Sequence, residues 1–305
     1  MRSVVSISLG SPERDWSADL SSLGVPLRIE RRGVGLDYGA YLQALRRAND
    51  DPDVAAVGLG GINRYLFSGR RAYPLARAEQ MAAQVTRKPL CDGAAMKRHW
   101  EPHVVRTLAA EGTVDFRDTP TLMVCAVDRW GMAAALEAAG ARLILGDLMF
   151  ALGVPCPLRS LAWTERLTRV VLPVVTRWVP FEWLYPTGET PPRPRYGNWY
   201  AWARILAGDF KFIARHLPEG EESLAGKVIL TNTTTPRDVE RLRKLGASLL
   251  VTTTASLGGR SFGTNAVEAA ACALAGRHPD EMDLPAFHEV FAQLGWDQPR
   301  VERLA

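Results

Sequence analysis

The fold class is decided by residues 121–147, which read TLMVCAVDRWGMAAALEAAGARLILGD. Apolar runs at Thr121–Val127 and Arg142–Leu145 predict two buried strands. The alanine-rich residues between them predict a helix over 131–139, with Gly140 as the residue that ends it. A strand, a helix and a second strand in this order are typical of a parallel sheet, because parallel neighbours need a crossover connection. This stretch therefore predicts an α/β protein.

The same alternation continues on both sides of this unit. Upstream, the sequence predicts four strands and three helices, the strands at 4–9, 26–30, 54–59 and 88–91 and the helices at 38–48, 75–85 and 94–110. Pro102 should kink or split the last of these helices. Downstream, further strands are predicted at 204–207, 228–230 and 249–251, followed by helices that start near Phe210, Pro236 and Asn265. Joined by right-handed crossovers, the five strands from residue 121 onward would form a doubly wound, Rossmann-like sheet.

We expect two domains, each built on a mainly parallel sheet. Their predicted extents are residues 1–117 for the first domain, 118–282 for the Rossmann-like second domain and 283–305 for a C-terminal helical segment. A helical, aromatic-rich insertion at 150–202 interrupts the second domain, and it contains a predicted basic amphipathic helix over 164–178. The part from 160 to 202 could serve as a lid over a ligand, as a homodimer interface or as a membrane-surface element.

Composition limits the class of protein. The 305 residues are 47% hydrophobic and 23% charged, close to globular averages, which excludes disorder as the main state. The net charge of +4 is small and the arginines are scattered, so no nucleic-acid partner is expected. No apolar run is long enough to span a bilayer and no secretory leader is evident, which predicts a soluble, cytoplasmic protein. The four cysteines are isolated, so we expect buried, reduced thiols rather than disulfides or a metal site.

Polar and glycine-rich segments follow most of the predicted strands. In open α/β sheets ligands bind beyond the carboxyl ends of the strands, so these segments are the first candidates for a binding site. Residues 258–265, GGRSFGTN, lead into a helix whose free first-turn amides would attract an anion. We expect a small anionic ligand to be held by Gly60, Gly61, Asn63, Arg129, Arg260, Ser261, Gly263, Thr264 and Asn265. The alternative for residues 258–265 is a flexible loop before a capped helix.

Four residues are candidates for proton transfer: Asp92, Lys97, Asp128 and Asp209. Lys97 could face a cleft between the domains and act as a general base, or it could be a solvated lysine on a helix surface. Asp128 and Arg129 could handle a hydroxyl and a carboxylate of a substrate, or they could pair with each other.

The unit at 121–147 also has the layout of half a dinucleotide site. Asp147 ends its second strand, where an acidic residue meets the ribose hydroxyls in NAD enzymes. With Asp147, we expect Asn232, Thr233, Thr252 and Thr253 to contact an NAD(P) cofactor. The turn after the first strand of the unit lacks the GxGxxG fingerprint, so a standard NAD mode has no glycine motif to support it.

The chain resembles bacterial quinate 5-dehydrogenase-like proteins over nearly its full length. The resemblance lies in the segments VVSISLG (4–10), GLGGI (58–62), AVDRWGM (126–132), GDLMFALG (146–153) and GRSFGTN (259–265). It implies an N-terminal substrate domain, a C-terminal NAD(P) domain, and proton transfer by a lysine and an aspartate. Lys97 and Asp128 are assigned to these two roles from their positions in the chain.

Taken together, the residues and the resemblance predict an enzyme that binds an anionic metabolite in an interdomain cleft. The reaction would be NAD(P)-linked dehydrogenation of a hydroxylated cyclic acid. Two alternatives stay open, a non-catalytic metabolite-binding or sensor protein and an enzyme that handles nucleotide sugars or phosphates without nicotinamide. All three predict that glycine, hydroxyl and guanidinium groups from separate segments line one anion-binding pocket.

Overall fold

The structure is a computed structural model, and it describes residues 1–179, 193–257 and 260–304. It contains two sheets of mainly parallel strands, which confirms the α/β fold. The first sheet has the order β2–β3–β1–β4–β7, with β1 at Arg2–Ser8, β2 at Trp16–Asp19, β3 at Leu27–Gly33, β4 at Val54–Gly60 and β7 at Leu90–Cys91. The edge strand β2 pairs antiparallel with β3, and the other pairs are parallel.

The second sheet has the order β15–β12–β11–β10–β8–β9. Its strands are β8 at Pro120–Met123, β9 at Arg142–Leu145, β10 at Ile205–Ala207, β11 at Val228–Thr231, β12 at Leu249–Thr252 and β15 at Arg300–Arg303. The five predicted strands are confirmed and pair in parallel, with β15 antiparallel at the edge. Counted along the chain, the parallel strands lie in the order 2-1-3-4-5, which is the flavodoxin-like order and differs from the dinucleotide-binding order 3-2-1-4-5-6.

Helices cover both faces of the first sheet. The described helices are α1 at Tyr38–Asp50, α2 at Ala76–Ala82, α3 at Glu101–Ala110, α4 at Trp130–Ala138, α5 at Leu161–Trp178, α6 at Gly197–Trp202, α7 at Phe210–Arg215, α8 at Pro236–Lys244, α9 at Thr264–Ala275 and α10 at Leu284–Leu294. Successive residues of a strand point to opposite faces. Val5 of β1 lies in one apolar cluster with Tyr41 of α1, whereas Val4 lies in another with Ala266 of α9.

Helix α9 comes from the C-terminal part of the chain but packs on the N-terminal sheet, against β1, β3, β4 and β7. Gly58 of β4 permits this approach, because a Cβ at that position would lie 2.7 Å from Asn265 Nδ2. Asn265 Nδ2 donates to Ser6 Oγ at 2.6 Å, which ties the start of α9 to β1. The crossing of α9 brings its N-terminus close to the carboxyl ends of the first sheet.

The predicted helix over 94–110 is present but irregular. Residues Met96–Trp100 form a π-helical turn that runs directly into α3. Pro102 is the second residue of α3, directly after the π-helical turn, so the helix continues through the proline instead of splitting at it. The irregularity therefore precedes the proline. The π-helical turn carries Lys97, and such turns are frequent at functional sites.

Some local predictions are wrong. The strand predicted over Thr121–Val127 ends at Met123, so the following residues leave the sheet as a loop. The hairpin of β5 (Tyr65–Ser68) and β6 (Arg71–Pro74) and the edge strand β15 were not predicted, because these short strands are not continuous apolar runs. Cys156 is exposed rather than buried, because it lies in an irregular segment between β9 and α5.

The insertion is described in part, since the aromatic residues 181–185 and the prolines up to 192 lie outside the described residues. Helix α5 confirms the predicted amphipathic helix, and Ser160 caps its start. The outer face of α5 exposes four large side chains, Trp163, Val170, Val174 and Trp178. Its roles as lid, homodimer interface or membrane-surface element stay predictions. Among the helices of the described segments, none is long and apolar enough to cross a membrane.

Candidate functional site

A cavity of about 180 Å³, called the cleft below, lies between the carboxyl ends of the two sheets. The structure brings together in its wall all of the predicted anion-binding and proton-transfer residues: Gly60, Gly61, Asn63, Asp92, Lys97, Asp128, Arg129, Asp209, Arg260, Ser261, Gly263, Thr264 and Asn265. The loops that carry them follow separate strands of both sheets, as expected for ligand sites in open α/β sheets. Gly258 and Gly259, also singled out in the sequence, lie outside the described residues.

Lys97, Asp128 and Asn63 form a hydrogen-bonded group in the wall of the cleft. Lys97 Nζ donates to Asp128 Oδ1 and to Asn63 Oδ1, both at 2.9 Å, and Asn63 Nδ2 donates to Asp128 Oδ1. The side chains of Lys97 and Asp128 are 7% and 3% exposed, so Lys97 is not a solvated surface lysine. Low exposure strengthens the attraction between the two charges. A lysine and a carboxylate held in this way could move a proton to or from a ligand hydroxyl.

Arg129 lies behind this group, and its side chain is 2% exposed. It pairs with Glu101, with Asp209 at 3.0 Å and with Asp128 at 3.2 Å. These three carboxylates surround the guanidinium, which corrects the expectation that Arg129 holds the anionic group of a ligand. The alternative of a pair between Asp128 and Arg129 holds instead. Arg129 therefore fixes the position of carboxylates that face the cleft.

Burial and pairing set the protonation of this group. Burial alone would lower the pKa of Arg129, but Glu101, Asp128 and Asp209 outweigh it and raise that pKa above its ordinary value. Burial raises the pKa of Glu101, and Arg129 opposes this only in part. Burial also acts to raise the pKa of Asp209, yet Arg129 and nearby lysines lower it overall. Asp209 is thus favoured in its ionised form beside Arg129.

Four positively charged side chains, Arg14, Arg31, Lys211 and Arg260, line another part of the cleft and are called the cationic wall. Arg31 is held by Asp15, with 2.5 Å between Nη1 and Oδ1. Within residues 1–179, 193–257 and 260–304, the charged ends of Arg14, Lys211 and Arg260 have no hydrogen-bond or ion-pair partner. The wall therefore presents positive charge that the described protein does not neutralise by direct contact.

The members of the cationic wall are close enough to perturb one another. Burial, Arg14 and Arg31 lower the pKa of Lys211 to about 8, against the opposing effect of Asp209. Burial and Arg14 also lower the pKa of Arg260. Like charges at this distance disfavour each other's charged form. An anion placed among these groups would be attracted by all of them and would favour their charged forms.

The N-terminus of α9 lies beside the cationic wall. Gly263 precedes the helix, and no side chain caps the first amides. Thr264 is 5% exposed and lines the cleft, and its hydroxyl oxygen has no hydrogen-bond partner among the described residues. The unpaired amides and the positive end of the helix dipole make such a terminus favourable for an anion.

Two carboxylates hold the helix that carries Lys97. Asp92 accepts two backbone N–H groups, at 2.7 and 3.1 Å, so its oxygens are engaged although it lines the cleft. Glu268 of α9 is fully buried and accepts the N–H groups of Gly93 at 3.1 Å and Met96 at 2.9 Å. Burial, with the charge of Asp92, raises the pKa of Glu268 to about 8. Glu268 was not predicted, although a lone glutamate in an alanine-rich helix was a signal for it.

The predicted cofactor-binding residues fall into two groups. Two of them, Asn232 and Thr233, line the cleft, and three are buried away from it, Asp147, Thr252 and Thr253. Asp147 Oδ1 accepts the N–H of Val127 at 2.8 Å, and the carbonyl of Thr253 accepts from Trp100 Nε1 at 3.0 Å. None of these three side chains lines the cleft, which corrects the expectation that they contact a cofactor there.

The turn between β8 and α4 does not fit the pyrophosphate of a dinucleotide. A Cβ at Gly131 would lie 2.4 Å from the carbonyl oxygen of Lys97 and 2.7 Å from Pro102 Cγ. The start of α4 is therefore covered by the π-helical turn and α3, where a dinucleotide site needs open backbone amides. The residues present do not fit NAD(P) in the mode that the resemblance implies.

Sequence reasoning missed several residues that line the cleft, namely Ser6, Ser8, Arg14, Trp16, Arg31 and Lys211. Lys211 follows Asp209 just beyond β10, so the rule that ligands bind at carboxyl ends could have found it. Arg14 lies in a short 3₁₀ turn and Arg31 within β3. Their approach to the cleft depends on how the first sheet is placed against the second.

The fold and the cleft define an α/β protein with a polar, charged site between two parallel sheets. The chain belongs to the family described as "Domain of unknown function (DUF8754)", whose model matches residues 95–304. A second model, "Domain of unknown function (DUF8753)", matches residues 3–92. No curated protein matches the chain.

Solved structures that resemble the chain do so at low scores. The hetero-hexameric glutamate dehydrogenase of Thermus thermophilus has a TM-score of 0.43 at 13% identity, covering 96% of this chain and 73% of that one. A galactofuranose binding protein has a TM-score of 0.38 at 11% identity, covering 100% and 95%. The FolD dehydrogenase/cyclohydrolase of Campylobacter jejuni has a TM-score of 0.33 at 10% identity, covering 80% and 76%. All three TM-scores lie below 0.5, so these similarities assign neither a fold family nor a function to the chain.

Proposed function

We propose that the protein binds a small, hydroxylated anion in the cleft. The observation that carries this proposal is the cationic wall, where Arg14, Lys211 and Arg260 bring three positive charges together without a direct partner in the described part of the chain. Their mutual repulsion is unfavourable, and an anionic ligand would relieve it. The cavity of about 180 Å³ is smaller than the roughly 300–1,000 Å³ typical of drug-sized ligands, so a small metabolite suits it.

Polar groups outside the cationic wall suit a ligand that carries hydroxyl groups. Asn63 and Asn232 offer amide donors and acceptors, and Asp128 offers carboxylate oxygens. A ligand with a charged end and several hydroxyl groups would contact both the cationic wall and these polar groups. A hydroxylated carboxylic acid of the kind implied by the resemblance to quinate 5-dehydrogenase-like proteins fits this description, and quinate is therefore the first compound to test.

Acid–base catalysis is a second candidate function, and the hydrogen-bonded group of Lys97, Asp128 and Asn63 favours it. Lys97 Nζ lies 2.9 Å from Asp128 Oδ1, so a ligand hydroxyl placed beside Lys97 could exchange a proton with it while Asp128 stabilises the charged lysine. An NAD(P)-linked reaction rests on the resemblance alone, because the turn after β8 does not fit the cofactor.

Calorimetric titration of the full chain with quinate, glycerate and inorganic phosphate tests the binding proposal. We expect at least one of these anions to bind with an affinity that falls at higher salt, because exposed charges are screened. Absence of binding by all three anions, and by glycerol 3-phosphate as well, would refute the proposed function.

A Lys97→Gln variant separates binding from catalysis. If the protein only binds, Lys97→Gln should leave the affinity nearly intact and the wild type should turn nothing over. If it is an acid–base enzyme, Lys97→Gln should abolish conversion of the bound compound while binding persists. Lys244→Gln, whose side chain is 75% exposed on α8, is the matched control for loss of a lysine. Nicotinamide absorbance, followed with quinate and NAD(P), tests the dehydrogenase reaction directly.

A further inference from the structure

We infer that the cationic wall and the N-terminus of α9 form a subsite for a phosphoryl dianion, which makes a small phosphate monoester the ligand of the cleft. The inference rests on the proposed function, namely that the cleft binds an anion, and it names the chemical class of that anion. Free inorganic phosphate shares the same chemistry and is the other source to be tested.

The charge of the wall favours a dianion over a carboxylate. Arg31 is already paired with Asp15, which leaves Arg14, Lys211 and Arg260 as positive charges without direct partners in the described segments. A single carboxylate carries one negative charge and would leave most of this excess in place. A phosphate monoester carries close to two charges at neutral pH, so it neutralises more of the excess.

The three groups belong to separate elements, which also suits a tetrahedral anion. Arg14 comes from the 3₁₀ turn before β2, Lys211 from α7 and Arg260 from β14 (Arg260–Ser261). Donors from separate elements can reach the three oxygens of a phosphoryl group, whereas a planar carboxylate presents two oxygens in one plane.

The start of α9 supplies neutral donors to the same subsite. The helix has twelve residues, its N-cap is Gly263, and no side chain occupies its first amides. Thr264 is 5% exposed, lines the cleft and leaves its hydroxyl without a partner in the described chain. A buried hydroxyl without a hydrogen bond is unfavourable by itself, and a phosphoryl oxygen in the cleft would supply the acceptor for it. Helix N-termini of this kind bind phosphate in many proteins.

The inference is tested with the full chain at pH 7.5 by calorimetric titration of three probes: inorganic phosphate, glycerol 3-phosphate and glycerate. Glycerol 3-phosphate and glycerate both carry two hydroxyl groups on a three-carbon skeleton, but they differ in the anionic group. We expect glycerol 3-phosphate to bind at least about tenfold more tightly than glycerate, as one additional charge-assisted hydrogen bond would give.

Variants assign this preference to the subsite. Arg260→Gln and Lys211→Gln should each weaken glycerol 3-phosphate about ten- to hundredfold and glycerate by much less. The exposed Lys244→Gln should change neither affinity. Thermal unfolding of each unliganded variant verifies folding, and Arg14→Gln replaces any variant that does not fold.

The outcomes separate the two proposals. Equal or tighter binding of glycerate, or glycerol 3-phosphate binding that is indifferent to both variants, would overturn the dianion subsite while leaving the proposed anion binding intact. No binding of any probe would overturn both. Tighter binding of glycerol 3-phosphate than of inorganic phosphate supports a metabolite monoester, and equal binding of the two supports the dianion subsite with free phosphate as its occupant.

Discussion

Replacement of Arg129 by methionine should destabilise the protein strongly. Arg129→Met keeps a long side chain but removes the cation that three carboxylates share. Its partner Glu101 is 0% exposed, and removal of one member of a buried ion pair costs about 3–5 kcal/mol because the other charge is left uncompensated. The free energy of unfolding at pH 7 should fall by about this amount, a large fraction of the roughly 5–15 kcal/mol typical of folded proteins.

The magnitude depends mainly on Glu101. Asp209 is 23% exposed, so water can screen part of its charge once Arg129 is gone, whereas Glu101 has no such access. Burial already raises the pKa of Glu101, and loss of Arg129 removes the main opposing effect. A carboxylate whose pKa is higher in the folded than in the unfolded state, about 4.3 for glutamate, costs stability as pH rises above that unfolded value. The deficit of Arg129→Met should therefore shrink as the pH is lowered from 7 towards 5.

Urea unfolding followed by the fluorescence of the nine tryptophans measures these differences. The double variant Arg129→Met/Glu101→Gln removes the uncompensated charge, and it should recover about 1–3 kcal/mol of the loss. Arg243→Met is the matched control, because Arg243 pairs with Glu240 and Glu302 at 44% exposure and such pairs contribute about 0–1 kcal/mol.

Two results would refute this reasoning. One is an Arg129→Met protein with a loss of stability no larger than that of Arg243→Met. The other is a double variant no more stable than Arg129→Met, since this would show that the buried charge of Glu101 is not what costs the energy.

Three further predictions address packing and pH. Gly131→Ala should lower the melting temperature, because its Cβ would lie 2.4 Å from the Lys97 carbonyl oxygen and overpacking costs about 1–3 kcal/mol. Gly197→Ala is the control and should not lower it, because a Cβ at that position has no atom within 4 Å. Glu268→Gln should gain urea stability relative to wild type between about pH 5 and pH 8. In that window Glu268 is ionised in the unfolded wild type but must be protonated in the folded one, where its pKa is about 8, so the free energy of unfolding of the wild type falls as pH rises. A constant difference between the two proteins would contradict this. Calorimetric affinity for glycerol 3-phosphate should fall as pH rises past the Lys211 pKa of about 8, and Lys211→Arg should flatten that fall.

Local features of the amino-acid sequence were enough to predict the α/β class and where ligand-binding groups would lie. Apolar runs and helical periodicity are local properties, so they predicted the strands of both parallel sheets to within a few residues in most cases. The rule that loops at the carboxyl ends of strands face a ligand placed Asn63, Lys97 and Asp128 among the candidates, and these three residues form one hydrogen-bonded group.

The tertiary structure alone decided which of these groups are available to a ligand. Arg129 looks like an anion-binding residue in the sequence, but carboxylates from three other positions surround it. Three features depend on contacts between residues far apart in the chain. They are the strand order, the packing of α9 on the first sheet and the position of Arg14 and Arg31 in the cleft. Periodicity carries no information about such long-range pairing, because it reports which face of an element is buried and not against which partner.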